Sequence, residues 1–160
     1  MTLTHIDANA QVNMVDVTDK SPTVRRAYAE GYLDLSPAAL AQVMQANNKK
    51  GDVLTIAKIA GIQGAKQCAN LIPLCHPLAL SKVEVNISCL PESSCIHVSS
   101  MCKLTGVTGV EMEALTAVQI ALLTLFDMTK AVDPAMTMRG IRVLQKIGGK
   151  TGTWHHPDAS

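Results

Sequence analysis

Residues 109–132 read GVEMEALTAVQIALLTLFDMTKAV. Glu111 and Glu113 open the stretch, no charge falls between Ala114 and Phe126, and Asp127 and Lys130 close it. No Pro or Gly lies between Val110 and Val132. Ala, Leu, Met and Gln favour a helix, and the run is too long for an ordinary strand. Leu115, Val118, Leu122 and Leu125 share one face, while Ala117, Ile120 and Ala121 spread round the rest. A helix apolar on most sides is buried on most sides. The stretch therefore predicts a central helix that meets its own core and a second subunit.

The two ends of this helix set a geometric problem. Glu113 and Asp127 are fourteen residues apart, about 21 Å along the axis. One small molecule cannot be worked on by both ends at once. Asp127 and Lys130 are three apart and lie on one face. Acids at the start and a base at the end complement the helix dipole, which suffices for Glu111 or Lys130 alone. The dipole disfavours Asp127 where it stands. If both ends belong to the same kind of site, that site is shared between subunits.

Composition narrows the class. The chain has 160 residues and a formal net charge of +1, enough for one core and no general attraction to nucleic acid or membranes. Aromatic content of 2% argues against an RNA-binding sheet that stacks bases on exposed rings. Hydrophobic content of 48% against 17% charged favours an oligomer. No apolar run reads as long enough to span a bilayer, and no charged-then-apolar leader opens the chain. Five cysteines without a CxxC pair fit a reduced, cytoplasmic protein and argue against zinc.

Working outward, residues 1–22 read as a polar arm, mobile or draped on a partner, with a short extended piece at Val12 to Val17. Residues 23–150 form one domain and 151–160 a flexible tail. In TVRRAYAEGYLDL (residues 23–35), Arg25, Ala27, Ala29, Gly31 and Leu33 alternate with Val24, Arg26, Tyr28, Glu30 and Tyr32. That predicts a first strand with one small, apolar face. Ser36-Pro37 predicts a helix start, with the helix running to about Gln45. Asp52 caps a second helix through VLTIAKIAGIQGAKQCANLI, where Gly61 and Gly64 imply close approach of another backbone. Residues 81–90 and 95–104 alternate as a hairpin around Pro91-Glu92-Ser93-Ser94, one face buried and one wet. Arg139 to Ile147 is a last strand, followed by a Gly-rich loop. Strand, helix pair, strand, strand, helix, strand is the βαββαβ order of a ferredoxin-like α+β sandwich, helices on one face of an antiparallel sheet.

Five places carry chemistry, each with a plain alternative. Lys49 and Lys50 precede a helix N-terminus and so want an anion nearby; a solvated loop accounts for Lys49 and does as well as function for Lys50. Lys66 alone reads as a solvent-exposed lysine. Cys75-His76, clamped between Pro73 and Pro77, would suit phosphate binding, proton transfer or metal ligation, and a structurally hydrogen-bonded His fits equally. Glu111 and Glu113 either serve the helix start or accept from a guanidine-like edge. Asp127 with Lys130 is a surface ion pair of little energetic consequence, or a partly buried, pKa-tuned pair, as the preceding apolar run implies. Gly148 to Gly152 (GGKTG) lacks the spacing and the following helix of a phosphate loop.

Several of these segments together resemble one family. KGDV (50–53), AGIQGAK (60–66), LIPLCHPL (71–78), SKVEV (81–85), LTGVTGVEMEALTA (104–117), FDMTKAV (126–132) and GGKTG (148–152) are similar to cyclic pyranopterin monophosphate synthases, the molybdenum cofactor biosynthesis protein C family. The resemblance runs from Met14-Val15-Asp16-Val17 onward. Asn47-Asn48-Lys49, Gln67 and Lys103 depart from it, where family members often carry histidines, a second basic residue and Arg.

The resemblance implies a lyase in molybdenum cofactor biosynthesis. Such an enzyme converts 3′,8-cyclo-7,8-dihydroguanosine 5′-triphosphate to cyclic pyranopterin monophosphate and releases pyrophosphate. It also implies a ferredoxin-like homohexamer, a trimer of dimers, with its pockets between subunits. Asp127, Lys130 and Lys50 match the catalytic residues. Leu74, Cys75, His76, Met112 and Glu113 match substrate contacts. Arg25, Lys66, Lys146 and Lys150 would neutralise the triphosphate, and Glu111 or Glu113 would take the guanine-like edge. No metal or cofactor is required by the sequence; Mg²⁺ accompanying the triphosphate is compatible with it and falls to no residue. A non-catalytic ferredoxin-like oligomer that binds a small molecule is the alternative.

Overall fold

The computed structural model describes residues 5, 11–45, 52–150 and 152–158. Strand β1 (Thr23–Asp34) pairs antiparallel on both edges, with β3 (Cys95–Gly106) and with β4 (Thr137–Ile147). Strand β2 (Lys82–Leu90) continues the sheet beyond β3, and β5 (Thr153–His155) beyond β4, in the order β2-β3-β1-β4-β5. Helices α1 (Pro37–Met44), α2 (Val53–Lys66), α3 (Cys68–Leu71) and α4 (Glu111–Thr129) complete the chain. This is the ferredoxin-like α+β sandwich that the order of elements predicts, with one short strand added.

The small face of β1 seats the central helix. Ala27, Ala29 and Leu33 are fully buried, as are Val118, Leu122 and Leu125 of α4. A Cβ on Gly31 would meet Leu122 and Val118 at 2.9 Å, closer than packed side chains tolerate. Helix α2 lies against the other flank of α4. There a Cβ on Gly61 would stand 2.8 Å from the Ala117 carbonyl oxygen, and one on Gly64 2.7 Å from Ile120. The two glycines therefore allow the close approach expected of them.

Local signals place the helix starts. The Ser36 hydroxyl accepts from the Ala39 N–H ahead of α1, and the Asp52 carboxylate accepts from Leu54 and Thr55 N–H groups at 3.1 Å ahead of α2. Each satisfies orphan donors of a first turn.

Four expectations are corrected. The second helix is not continuous: it breaks at Gln67, where the backbone leaves helical geometry (φ −103°, ψ 8°), and α3 resumes for one turn. Val12 makes an isolated bridge, and no strand forms at residues 12–17. Thr153–His155, assigned to the tail, is paired as β5, because Gly148 and Gly152 close a turn (Gly148 N–H to Gly152 C=O, 3.0 Å) that returns the chain to the open edge of β4. Helix α4 is, by length and composition, long and apolar enough to cross a bilayer, with half of its apolar window buried; the sheet and α2 cover it as a core helix.

Candidate active site

The first turn of α4 faces the proline-bound loop. Leu74, Cys75, His76, Leu78, Met112, Glu111 and Glu113 line a cavity of about 420 Å³. Pro73 and Pro77 restrict the loop backbone, and the Cys75 N–H bonds back to the Ile72 carbonyl at 3.1 Å. The N-terminal segment folds over this cavity: the His76 Nε2 lies 2.9 Å from the Val15 carbonyl oxygen, and Val15, Val17 and Lys20 contribute to its wall. His76 is thus held by the main chain and still borders the cavity.

Glu113 is only 4% exposed. Burial pushes its carboxyl above the ordinary value of 4.5, and the nearby charge of Glu111 adds to the shift; its own main-chain N–H and Cys68 oppose it. Behind it, Cys68 accepts from the Thr116 hydroxyl at 3.5 Å. Burial pushes the Cys68 thiol up to about 11 and raises Cys75 as well. Thiolates are the reactive form, so at neutral pH both stay as thiols, Cys75 in the cavity wall and Cys68 buried behind it. Val110, at the N-cap of α4, makes no side-chain bond, and the Glu113 carboxylate accepts from its own main-chain N–H in the first turn.

A cationic cleft of about 210 Å³ adjoins. Lys20, Arg25, Arg26, Lys146 and Lys150 line it, together with Thr108, Gly109, Glu111 and Gly148. Arg25 is fixed by Nε donating to the Gly106 carbonyl at 3.3 Å and Nη2 donating to the Val107 carbonyl at 3.4 Å. Gly149, at φ +80°, passes beneath the Arg25 guanidinium, where any side chain would collide. Thr108, Gly109, Glu111 and Lys20 belong to both hollows. Together they offer a compartment with one buried acid, Glu113, and one partly exposed, Glu111, beside a compartment of cations.

The remaining expected residues lie apart. Lys130 Nζ meets Asp127 Oδ1 at 2.7 Å, at the opposite end of α4. The two side chains are 55% and 62% exposed, so the expectation of a partly buried pair fails for the single chain. The cause is helical phase: the apolar run buries one side, whereas Leu123, Asp127 and Lys130 project from the open side. Lys66 borders a separate hollow with Ile62, Leu78 and Leu80, and does not join the cationic cleft. Lys50 lies outside the described residues.

Lys20 and Arg26 were not singled out by the sequence. Arg26 carries a readable signal, since it stands beside Arg25 at the start of a strand. Lys20 reaches the cleft only because the arm folds back. Among the described residues, no group of three or more His, Cys, Asp or Glu gathers to hold a metal ion.

A sequence model of the MoaC family matches residues 14–149. The chain belongs to the MoaC family. That membership makes it a protein of an enzyme family of molybdenum cofactor biosynthesis. The MoaC match takes in the acid-lined cavity from Val15 to Glu113 and every cleft residue except Lys150.

Proposed function

We propose that this chain converts 3′,8-cyclo-7,8-dihydroguanosine 5′-triphosphate to cyclic pyranopterin monophosphate with release of pyrophosphate, as a phosphorus–oxygen lyase. The observation that supports it is the shared wall at Glu111, which the acid-lined cavity and the cationic cleft have in common. A guanine-derived ring presents N–H donors, which carboxylates accept. A triphosphate needs cations on its oxygens, and the leaving pyrophosphate needs them more as charge develops. Arg25, Lys146 and Lys150 would supply them.

The proton transfers of ring opening and closure would fall to Lys130 and Lys50. Asp127, 2.7 Å from the Lys130 ammonium, would orient it and stabilise its charged form. Because about 21 Å of helix separates Asp127 from Glu113, the recognition end of one subunit would be completed by the chemical end of another. The exposure of Leu123, Asp127 and Lys130 on one face supports covering by a second copy. We take the assembly to be a homohexamer, a trimer of dimers.

The test is pyrophosphate release from the cyclised nucleotide by the purified full chain. Turnover is expected from the wild type and is expected to vanish in Lys50→Ala and Lys130→Ala while the oligomer persists. Binding without any pyrophosphate release would favour a non-catalytic binding oligomer instead. Wild-type rates in either lysine variant would remove that lysine from the mechanism.

A further inference from the structure

Trp154 is the chain's one tryptophan, and it lies beyond the segment matched to the family. In the β4–β5 ladder it stands directly opposite Lys146, so the two side chains leave the sheet on the same face. That face is the helical one, because Lys146 Nζ reaches Glu111 Oε1 in the first turn of α4 at 3.3 Å. Trp154, Thr153, Val143, Lys146 and Glu111 enclose a hollow of about 370 Å³. Glu111 and Lys146 also line the cationic cleft, and Glu111 the acid-lined cavity.

The indole is set in place without being buried. The His156 ring meets it edge-on, centroids 6.0 Å apart at 80°. The His156 N–H bonds to the Leu144 carbonyl at 2.8 Å, which ties this contact to β4. Trp154 remains 39% exposed. A large aromatic surface held open beside a carboxylate and a lysine presents a flat apolar wall to whatever ring those groups engage. Planar heteroaromatic rings stack on such walls whatever their edge pattern.

We propose that Trp154 is a substrate-binding residue that covers the face of the guanine-derived ring system while Glu111 accepts from its edge. This rests on the nucleotide reading above for the identity of the ligand. The short strand β5 then forms a wall of the site. The competing role, a shield over the Lys146–Glu111 ion pair, would act on the phosphates through Lys146 and not on the ring.

The experiment uses the full chain, with GTP as a stable nucleotide probe and inorganic tripolyphosphate as the same charge without a ring. GTP is expected to quench Trp154 fluorescence, and tripolyphosphate to leave it unchanged. By calorimetry, Trp154→Leu should weaken GTP about tenfold and leave tripolyphosphate affinity as it was, and Trp154→Phe should restore most of the loss. Equal GTP affinity in Trp154→Leu, parallel weakening of both probes, or no GTP binding by the wild type would each overturn the proposal. Pyrophosphate release is scored separately: GTP quenching in a chain that releases none supports the ring wall while removing the catalytic reading.

Discussion

Lys146 on β4 and Glu111 on the first turn of α4 form an ion pair at 3.3 Å, with the side chains about one-third exposed. The pair links the cationic cleft to the acid-lined cavity, since both residues face the first and Glu111 faces both. An ion pair this exposed contributes no more than about 1 kcal/mol to stability. Lys146→Met should therefore hardly move the unfolding midpoint in urea. The same change should raise KM for the cyclised nucleotide about tenfold or more, because a charged hydrogen bond to phosphate contributes about 1.5–3 kcal/mol. A large loss of stability with unchanged KM would contradict this division.

Glu113 predicts a pH dependence with a definite sign. Its folded-state pKa is raised, chiefly by burial, so the native state holds the proton more tightly than the unfolded chain. Stability is then greatest below the ordinary value of 4.5 and declines as pH rises through the folded value. Glu113→Gln removes that titration. Its melting temperature should exceed the wild type's at neutral pH and converge with it below pH 4.5, while KM rises about tenfold for loss of a charged acceptor. Thermal melts across pH on both proteins check it, and parallel curves would refute the assignment.

What was legible in the sequence was what depends on local periodicity. Ala27, Ala29 and Leu33 read as a buried face because alternation survives folding, and Ser36 and Asp52 read as caps because capping is a contact within four residues. Of the cavity residues, Cys75, His76, Glu111 and Glu113 stood out by residue type and local pattern, Leu74 and Met112 through motif resemblance, and they come together. Three features depend on long-range packing and escaped. A three-residue strand has no period to read, so β5 and Trp154 waited on the open edge of β4. Lys20 enters the cleft by the path of the arm. The exposure of Asp127 and Lys130 follows from helical phase, whereas the apolar run just before them pointed to burial.

Gly61 tests how tightly α2 and α4 are packed. Alanine favours a helix over glycine by about 1 kcal/mol, so an open site would gain from Gly61→Ala. Here the added methyl would stand 2.8 Å from the Ala117 carbonyl oxygen, and overpacking costs about 1–3 kcal/mol. The expected outcome is a net loss of about 1 kcal/mol in urea unfolding. A stabilised variant would show that the helices separate freely.

On the sheet face away from the helices, Glu30 is 6% exposed and binds three partners: Arg142 at 2.8 Å, His97 at 3.0 Å and the Tyr32 hydroxyl at 3.2 Å. Burial by itself raises the Glu30 carboxyl, and the bonds from Arg142, His97 and Tyr32 outweigh it, so the net shift is downward. Its sign is opposite to that of Glu113: the stabilisation is present above the ordinary 4.5 and is lost as pH falls through the lower folded value. Glu30→Ala should cost about 1–3 kcal/mol by removing the charged hydrogen bonds from Arg142 and His97, flatten the acid limb of the stability curve, and leave KM unchanged.

The separation of Glu113 from Asp127 and Lys130 along one helix gives the sharpest test of a shared site. Consider protomers paired by a two-fold axis, each site taking its recognition end from one chain and its chemical end from the other. Glu113→Gln and Lys130→Ala homo-oligomers would both be impaired at every site. In a mixed pair, one site receives both lesions and the other receives neither. Unfolding and refolding an equal mixture makes half the pairs mixed, so about a quarter of wild-type pyrophosphate release should return. Sites contained within single chains would give no recovery, because each site would carry its own chain's lesion. The refolded single variants, assayed in parallel, set the baseline that the mixture must exceed.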